Sequence, residues 1–223
     1  MKKTLLALGL VLALLVPSQR AMALIGFGLN AGQDSYSISG ESYTNLFGIS
    51  GITLTREDFD KPFGIGGYLF IDAIPIIDVE VGFDLYGRDY TFTYVNDLTG
   101  DSEPQDFAWL RTTGYLSIQK NVFKLPVIKF YVGGGLNFNA SLPIVDKDFI
   151  EEFLGDENTA LDIDDLLEAS ESNSGVHFEL GARMKPPLIP IALNVRFRQT
   201  MVEGIVPGKK AFATISAGIG FQL

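Results

Sequence analysis

The sequence predicts an all-β fold: eight antiparallel strands closed up-and-down into a transmembrane barrel. Three observations predict it. The first is a repeat anchored on prolines. "GYLFID" (Gly67 to Asp72) runs into "AIPIIDVEV" (Ala73 to Val81), "GYLSIQ" (Gly114 to Gln119) leads to "KLPVIKFYV" (Lys124 to Val132), and "ELGARMK" (Glu179 to Lys185) runs into "PPLIPIALNV" (Pro186 to Val195). Each unit reads as a strand, a short proline-containing turn and a second strand. The second observation is a two-residue alternation whose polar face is rich in glycine. The third is the stretch "FATISAGIGFQL" (Phe212 to Leu223), with Ala213, Ile215, Ala217, Ile219, Phe221 and Leu223 on one face and Thr214, Ser216, Gly218, Gly220 and Gln222 on the other.

Residues 1–23 are set apart as a cleaved signal peptide, leaving 24–223 as the barrel domain. Lys2 and Lys3 precede an apolar core from Thr4 to Val16, and Ala21-Met22-Ala23 forms a small-residue cleavage site. That apolar core is shorter than the ~20 residues of a spanning helix. The expected strands are 25–33, 63–72, 77–87, 108–119, 127–138, 175–185, 190–200 and 211–223. Each has the length a tilted membrane-spanning strand needs, about ten residues. The connections alternate in size. Tight turns fall at Ala73–Ile76, Lys120–Pro126 and Pro186–Ile189; long loops cover 34–62, 88–107 and 139–174, with a shorter one at 201–210.

The strand phase chooses between a soluble and a membrane barrel. Ile77, Val79, Val81, Phe83 and Leu85 oppose Asp78, Glu80, Gly82, Asp84 and Tyr86. Val176, Phe178, Leu180, Ala182 and Met184 oppose His177, Glu179, Gly181, Arg183 and Lys185. A soluble barrel could alternate in the same way with its apolar face inward. The glycines on the polar face, Gly26, Gly28, Gly64, Gly66, Gly82, Gly181 and Gly218 among them, instead suit a crowded polar interior. The apolar face is therefore expected to meet lipid.

Composition excludes other classes. The 223 residues carry 17 Lys+Arg and 27 Asp+Glu, a net charge of -10; loss of Lys2, Lys3 and Arg20 with the signal peptide moves this to -13. No basic stripe remains for nucleic acid. There is no cysteine, so an exported chain must hold together without disulfides. With one histidine, His177, and no cysteine, no zinc or copper site and no cofactor is expected.

The whole of 24–223 resembles, by pattern, the small outer-membrane β-barrels of Gram-negative bacteria, with eight-stranded forms such as the OmpA membrane domain, OmpX and OmpW. The most specific stretch is the end. These proteins close on a polar residue followed by x-Gly-x-x-aromatic-x-aromatic, the signal read by the barrel-assembly machinery. Ser216, Gly218 and Phe221 match, whereas Leu223 replaces the last aromatic. The resemblance implies an outer-membrane location, lipid and lipopolysaccharide as surroundings, a monomer, and long loops on the extracellular side. The role it implies is structural or surface-interacting; a narrow porin-like carrier and a lipid A-modifying enzyme are the alternatives. Lipid A deacylases carry H-x-S, whereas His177-Phe178-Glu179 has an acid at the serine position, so no catalytic residue is expected.

On this register the lumen carries Asp72, Asp78, Glu80, Asp84 and Glu179 with Arg111, Lys129, Arg183, Lys185, Arg196 and Arg198. Charges in an interior only wide enough for side chains must pair, so a plugging ion-pair network is expected, with Tyr68, Tyr115 and Tyr131 among it. Phe63, Phe107, Trp109, Phe138 and Phe212, with Phe123 and Phe221 at the other end, are candidates for interfacial girdles. The third loop is the unusual one: Asp146 to Ser172 holds eleven acids and one base. Ile150, Phe153 and Leu154, then Leu161, Leu166 and Leu167, recur at helical spacing, so this loop is expected to be partly helical. Loop 139–174 is a candidate partner surface. Asp162, Asp164 and Asp165 are oxygen ligands of the kind calcium takes, without the glycine spacing of an EF-hand.

Overall fold

The computed structural model describes residues 25–45, 50–71, 77–96, 99–144, 170–186 and 189–222. The expected signal peptide, Asp72, the expected helices with Asp162, Asp164 and Asp165, and Leu223 lie outside the described residues. Those described form strands β1 (Ile25–Asp34), β2 (Ser37–Ile38), β3 (Glu41–Thr44), β4 (Ile52–Arg56), β5 (Phe59–Asp60), β6 (Phe63–Ile71), β7 (Asp78–Asn96), β8 (Asp101–Lys124), β9 (Ile128–Ser141), β10 (Glu171–Met184), β11 (Ile191–Val206) and β12 (Lys209–Gln222). Eight of them pair antiparallel in a closed ring, β1–β6–β7–β8–β9–β10–β11–β12 and back to β1. The closing pair runs from Gly26 opposite Gln222 to Asp34 opposite Thr214, so no backbone edge is left along the seam.

The partition across the wall is inside-out. Leu29, Ile65 and Phe178 are 67%, 62% and 62% exposed, while Glu80, Glu179 and Arg196 are 0%, 1% and 2% exposed. Apolar side chains ring the outside and charges fill the inside, the arrangement that lipid demands and water forbids.

The lumen glycines have a specific reason. Gly26, Gly28, Gly64, Gly82 and Gly181 pair directly across strands with Phe70, Tyr68, Tyr86, Tyr115 and Tyr131. In each case the partner ring lies over the glycine where a Cβ would stand. This is aromatic rescue repeated around the barrel: the glycine gives the ring a bed, and the ring covers the exposed backbone.

The wall is taller than the sequence reading expected. Residues 88–107 were expected as a loop, but β7 and β8 continue through them to a turn at Gly100 (φ +76°). The 19 residues of β7 measure roughly 60 Å, twice the ~30 Å hydrocarbon core, so this hairpin projects beyond the membrane. β3 and β4 add to the projecting part of β7, from Ile52 opposite Asn96 to Arg56 opposite Phe92. The expected loop 201–210 is also largely strand, turning at Gly208 (φ +69°). Between Met201 and Val206 the register shifts, and Val202, Ile205 and Val206 are buried.

Those residues join an apolar cap over one mouth. Tyr36, Ile38 and Phe59 come from the segment after β1, Tyr90 and Trp109 from β7 and β8, Ile144 from beyond β9, and Phe212 from β12. Trp109 and Phe212 are therefore inside, 0% and 4% exposed, and not in a girdle; Phe107 packs against the same cap. The reason is parity, since Trp109 is two residues from lumen-facing Arg111. Phe63, Phe123, Phe138 and Phe221 do face outward.

Gly82→Val should abolish the heat-dependent gel shift of a folded barrel, because its added carbons meet the Tyr115 ring. Gly114→Ala, on the outer face with nothing within 4 Å of a Cβ, should keep it.

Candidate functional site

The lumen side chains form one connected set. β7 supplies Asp78, Glu80 and Asp84 at two-residue spacing, with Gly82 leaving room for the Tyr115 ring. β11 supplies Arg196 and Arg198, and it stands opposite β7 in the ring. Arg196 and Glu80 meet at 2.5 Å, Arg198 and Asp84 at 3.0 Å, so these pairs span the barrel's diameter. β10 adds Arg183, at 3.1 Å from Glu80 and 3.8 Å from Asp78, and Glu179, at 3.6 Å from Arg196 and 3.5 Å from Arg198.

Neutral groups complete the coordination. Gln119 donates to Glu80 at 3.2 Å and Glu179 at 2.8 Å, and its carbonyl accepts from Arg183 at 3.1 Å. Tyr115 donates to Glu80 at 3.1 Å and accepts from Arg196 at 3.0 Å. Asn30 donates to Asp84 at 3.1 Å. The guanidiniums also stack on rings: Arg198 lies 3.6 Å from the Tyr115 centroid, Arg183 4.7 Å from Phe70 and Arg111 4.5 Å from Phe212.

A second cluster lies beneath the cap. Arg111 reaches Asp34 at 2.7 Å, and Thr214 donates to the other Asp34 oxygen at 2.6 Å. This ties β8 to both strands of the closing pair. Arg111 also bonds Thr113, which donates to Asn139 at 2.7 Å. Burial beside the Asp34 carboxylate pushes the Tyr36 phenol far up, so it stays neutral within the apolar cap.

The structure thus brings Asp78, Glu80, Asp84, Glu179, Arg183, Arg196 and Arg198 together, and places Arg111 apart with Asp34. Lys185 sits at the floor of the lumen, 5.4 Å from the Phe70 ring, and Lys129 is half-buried on β9. Ser216 and Gly218 lie in β12 on the lumen face, and Phe221 faces outward, stacked on Phe27 at 5.6 Å. Asp34, Gln119 and Asn30 were not singled out from the sequence. Their signal was present, since all three share the parity of lumen residues on their strands.

His177 and Ser117 form a further buried pair, Nε2 to Oγ 2.8 Å, at 1% and 0% exposure. The His177 ring meets Tyr115 edge-on, and its Nδ1 has no hydrogen-bond partner among the described residues. A nucleophile and a base are therefore adjacent, but neither is open to solvent or lipid. No group of three or more acidic or histidine side chains converges as a metal site among the described residues.

No protein-family model matches the chain, and no curated protein matches it. Among solved structures the fold is similar to Ail, the attachment invasion locus protein of Yersinia pestis, in complex with the heparin analogue sucrose octasulfate. The TM-score is 0.50 at 9% identity, over 90% of this chain and 99% of that one. It is also similar to neisserial surface protein A, NspA, with a TM-score of 0.52 at 12% identity, over 90% of this chain and 97% of that one. At such identities the likeness is one of fold: the small eight-stranded outer-membrane β-barrel of Gram-negative bacteria.

Glu80→Ala should destabilise the barrel by about 3–5 kcal/mol, because Arg183 and Arg196 are left as buried, underpaired charges. Urea unfolding from lipid vesicles measures this. Adding Arg196→Met to that variant should cost less than the sum of the two single changes.

Proposed function

We propose that the chain is an integral outer-membrane barrel with a structural or surface-interaction role, its lumen closed and its loops facing outward. The observation that carries this reading is the inside-out partition of a closed ring, with apolar side chains outside and a buried guanidinium–carboxylate set inside. Proteins of this fold sit in the outer membrane, and the belt of exposed leucine, isoleucine and phenylalanine supports that location here. The network and the cap act as two successive seals: Glu80, Ser117 and Gln119 between the walls are each 0% exposed. That burial argues against the alternative of a narrow carrier. The sealing of Ser117 and His177 argues against a lipid-modifying enzyme, whose nucleophile must meet its substrate.

Interaction falls to the outer end, through the projecting β3–β4–β7–β8 sheet and loop 139–174. Ail was solved with a polyanion. The outer end here carries Glu57, Asp58, Asp60, Asp89 and Asp106 around one cavity, so a polyanion is a poor candidate for this chain. Residues 1–23 act as the cleaved export signal, and Ser216, Gly218, Phe221 and Leu223 as the assembly signal.

Planar-bilayer recording should show no steady conductance; steady openings would overturn the closed-lumen reading. His177→Ala should leave lipid A acylation unchanged. Leu223→Phe should preserve or improve assembly, whereas loss of Phe221 to Leu223 should reduce the folded fraction recovered in outer membranes.

A further inference from the structure

We propose that the outward face of the projecting β3–β4–β7–β8 sheet docks the uncharged sugars of the surrounding outer-leaflet glycolipid, a reading that rests on the membrane-spanning role above. The face is a lattice of hydroxyls. Thr44 stands opposite Thr53, and Thr53 opposite Val95. In the next row Ser42 stands opposite Thr55, Thr55 opposite Thr93, and Thr93 opposite Pro104. Neighbours within a row are about 5 Å apart and the rows roughly 7 Å apart. These side chains are exposed or half-buried, whereas Ile52, Leu54 and Phe92 on the other face of the same strands are buried. Ser42 and Thr55 bond each other at 3.1 Å, and Thr91, below them, donates to Asp106 at 3.1 Å. Thr44, Thr53 and Thr93 have no side-chain partner among the described residues.

Position and chemistry name the occupant. On β7 this face continues the parity of Val81, Phe83 and Leu85, which meet lipid, so the molecules around the belt also pass the hydroxyls. Thr91 to Val95 follow Leu85 by six to ten residues. At about 3.3 Å per residue and a ~40° tilt, they stand roughly 15–25 Å above it. The headgroup layer of a phospholipid is only about 5–8 Å thick on each side, so it ends below this face, and a sugar headgroup reaches it. Asp89 and Asp106 lie at the foot of the face, and the two rows above them carry no charged residue, which suits neutral sugars and not phosphate.

The branched Cβ of threonine fixes its rotamer and holds a methyl beside a hydroxyl. A sugar ring offers the same pairing, with C–H on its flat side and O–H around its edge. Each such hydrogen bond gains little against water. A glycolipid held in the same leaflet, however, meets the face at high effective concentration. The lattice is local: the β11–β12 hairpin at the same end carries Glu203, Lys209 and Lys210 instead.

The test is native mass spectrometry of protein released from phosphatidylcholine vesicles doped with equal amounts of two glycolipids. One is lipopolysaccharide with its full core oligosaccharide; the other is the same lipid truncated after its innermost, acidic sugars. The wild-type protein should retain the full-core form in excess. Each hydroxyl contributes about twofold, so Thr44→Val, Thr53→Val and Thr93→Val together should lower the retained ratio roughly eightfold while keeping side-chain shape and strand propensity. Glu203→Gln with Lys210→Gln, on the β11–β12 hairpin, should keep the wild-type ratio. Equal retention of both lipids by the wild type, an unchanged ratio in the threonine variant, or an equal fall in both variants overturns the proposal. If the threonine variant fails to fold, Ser42→Ala with Thr44→Val on the edge strand β3 takes its place. A fall of roughly fourfold then supports the proposal, and an unchanged ratio overturns it. A wild-type barrel that shows no heat-dependent gel shift would sink the membrane reading itself.

Discussion

The structure depends on charges that meet across the middle of the ring. Glu80 and Asp84 on one wall reach Arg196 and Arg198 on the wall opposite, and the stacks of Arg183 on Phe70 and Arg111 on Phe212 likewise join strands that face each other across the ring. Backbone ladders fix each strand to its neighbours but say nothing about the far side. In an eight-stranded ring the interior is narrow enough for two long side chains to bridge it. Once they do, every other inward position must either feed hydrogen bonds to the bridge or give it space. Gln119, Tyr115 and Asn30 do the first; Gly82 and Gly181 do the second. The pairing is less a source of net stability than a condition on shape. A buried ion pair roughly offsets its own desolvation, yet a missing partner is severely destabilising.

The wall was largely legible in the sequence because its chemistry has period two. Val79, Val81, Phe83 and Leu85 can face only one side, and the prolines mark where the chain turns. The upper half was less legible. Arg88-Asp89 and the Asp101–Asp106 stretch look like loop, although Tyr90, Phe92 and Tyr94 continue the alternation of β7. Aromatic content suggested a girdle for Trp109, whereas its parity with Arg111 places it in the cap. Within the lumen, the sequence revealed which residues face inward but not which carboxylate meets which arginine. Partnership depends on how far the strands stagger around the ring, and stagger is a property of the closed barrel and not of any one strand. Asp34 shows this well: its partners Arg111 and Thr214 are 77 and 180 residues away.

Two interiors are stacked in one molecule. The lower part is polar, charges and amides buried within the wall of strands. The upper part, from Tyr36 and Phe59 to Ile205 and Phe212, is an ordinary apolar core built mostly from the outer ends of the barrel strands and the short strands beside them. The cap covers the Arg111–Asp34 cluster and so shields its hydrogen bonds from competition by water. A chain that only needed to span the membrane could have ended its strands at the headgroups. This one extends β7 and β8 well past them, adds β3 and β4 to that projecting sheet and folds β2 and β5 into the cap, so many of its described residues lie beyond the bilayer.

The glycine–ring pairs have a consequence for how such a sequence can change over time. Each ring is matched to a glycine on the next strand, so Tyr68, Tyr115 and Tyr131 each hold two strands to a single offset. Insertion of one residue between Gly64 and Tyr68 would part these residues from their partners Tyr86 and Gly28 on β7 and β1, or turn one of them out of the lumen toward hydrocarbon. Length variation is thereby confined to hairpin tips and loops. Within the wall, substitutions must arrive in complementary couples across neighbouring strands. A barrel of this kind can share almost no residues with its structural kin and still keep an unchanging pattern of small against flat.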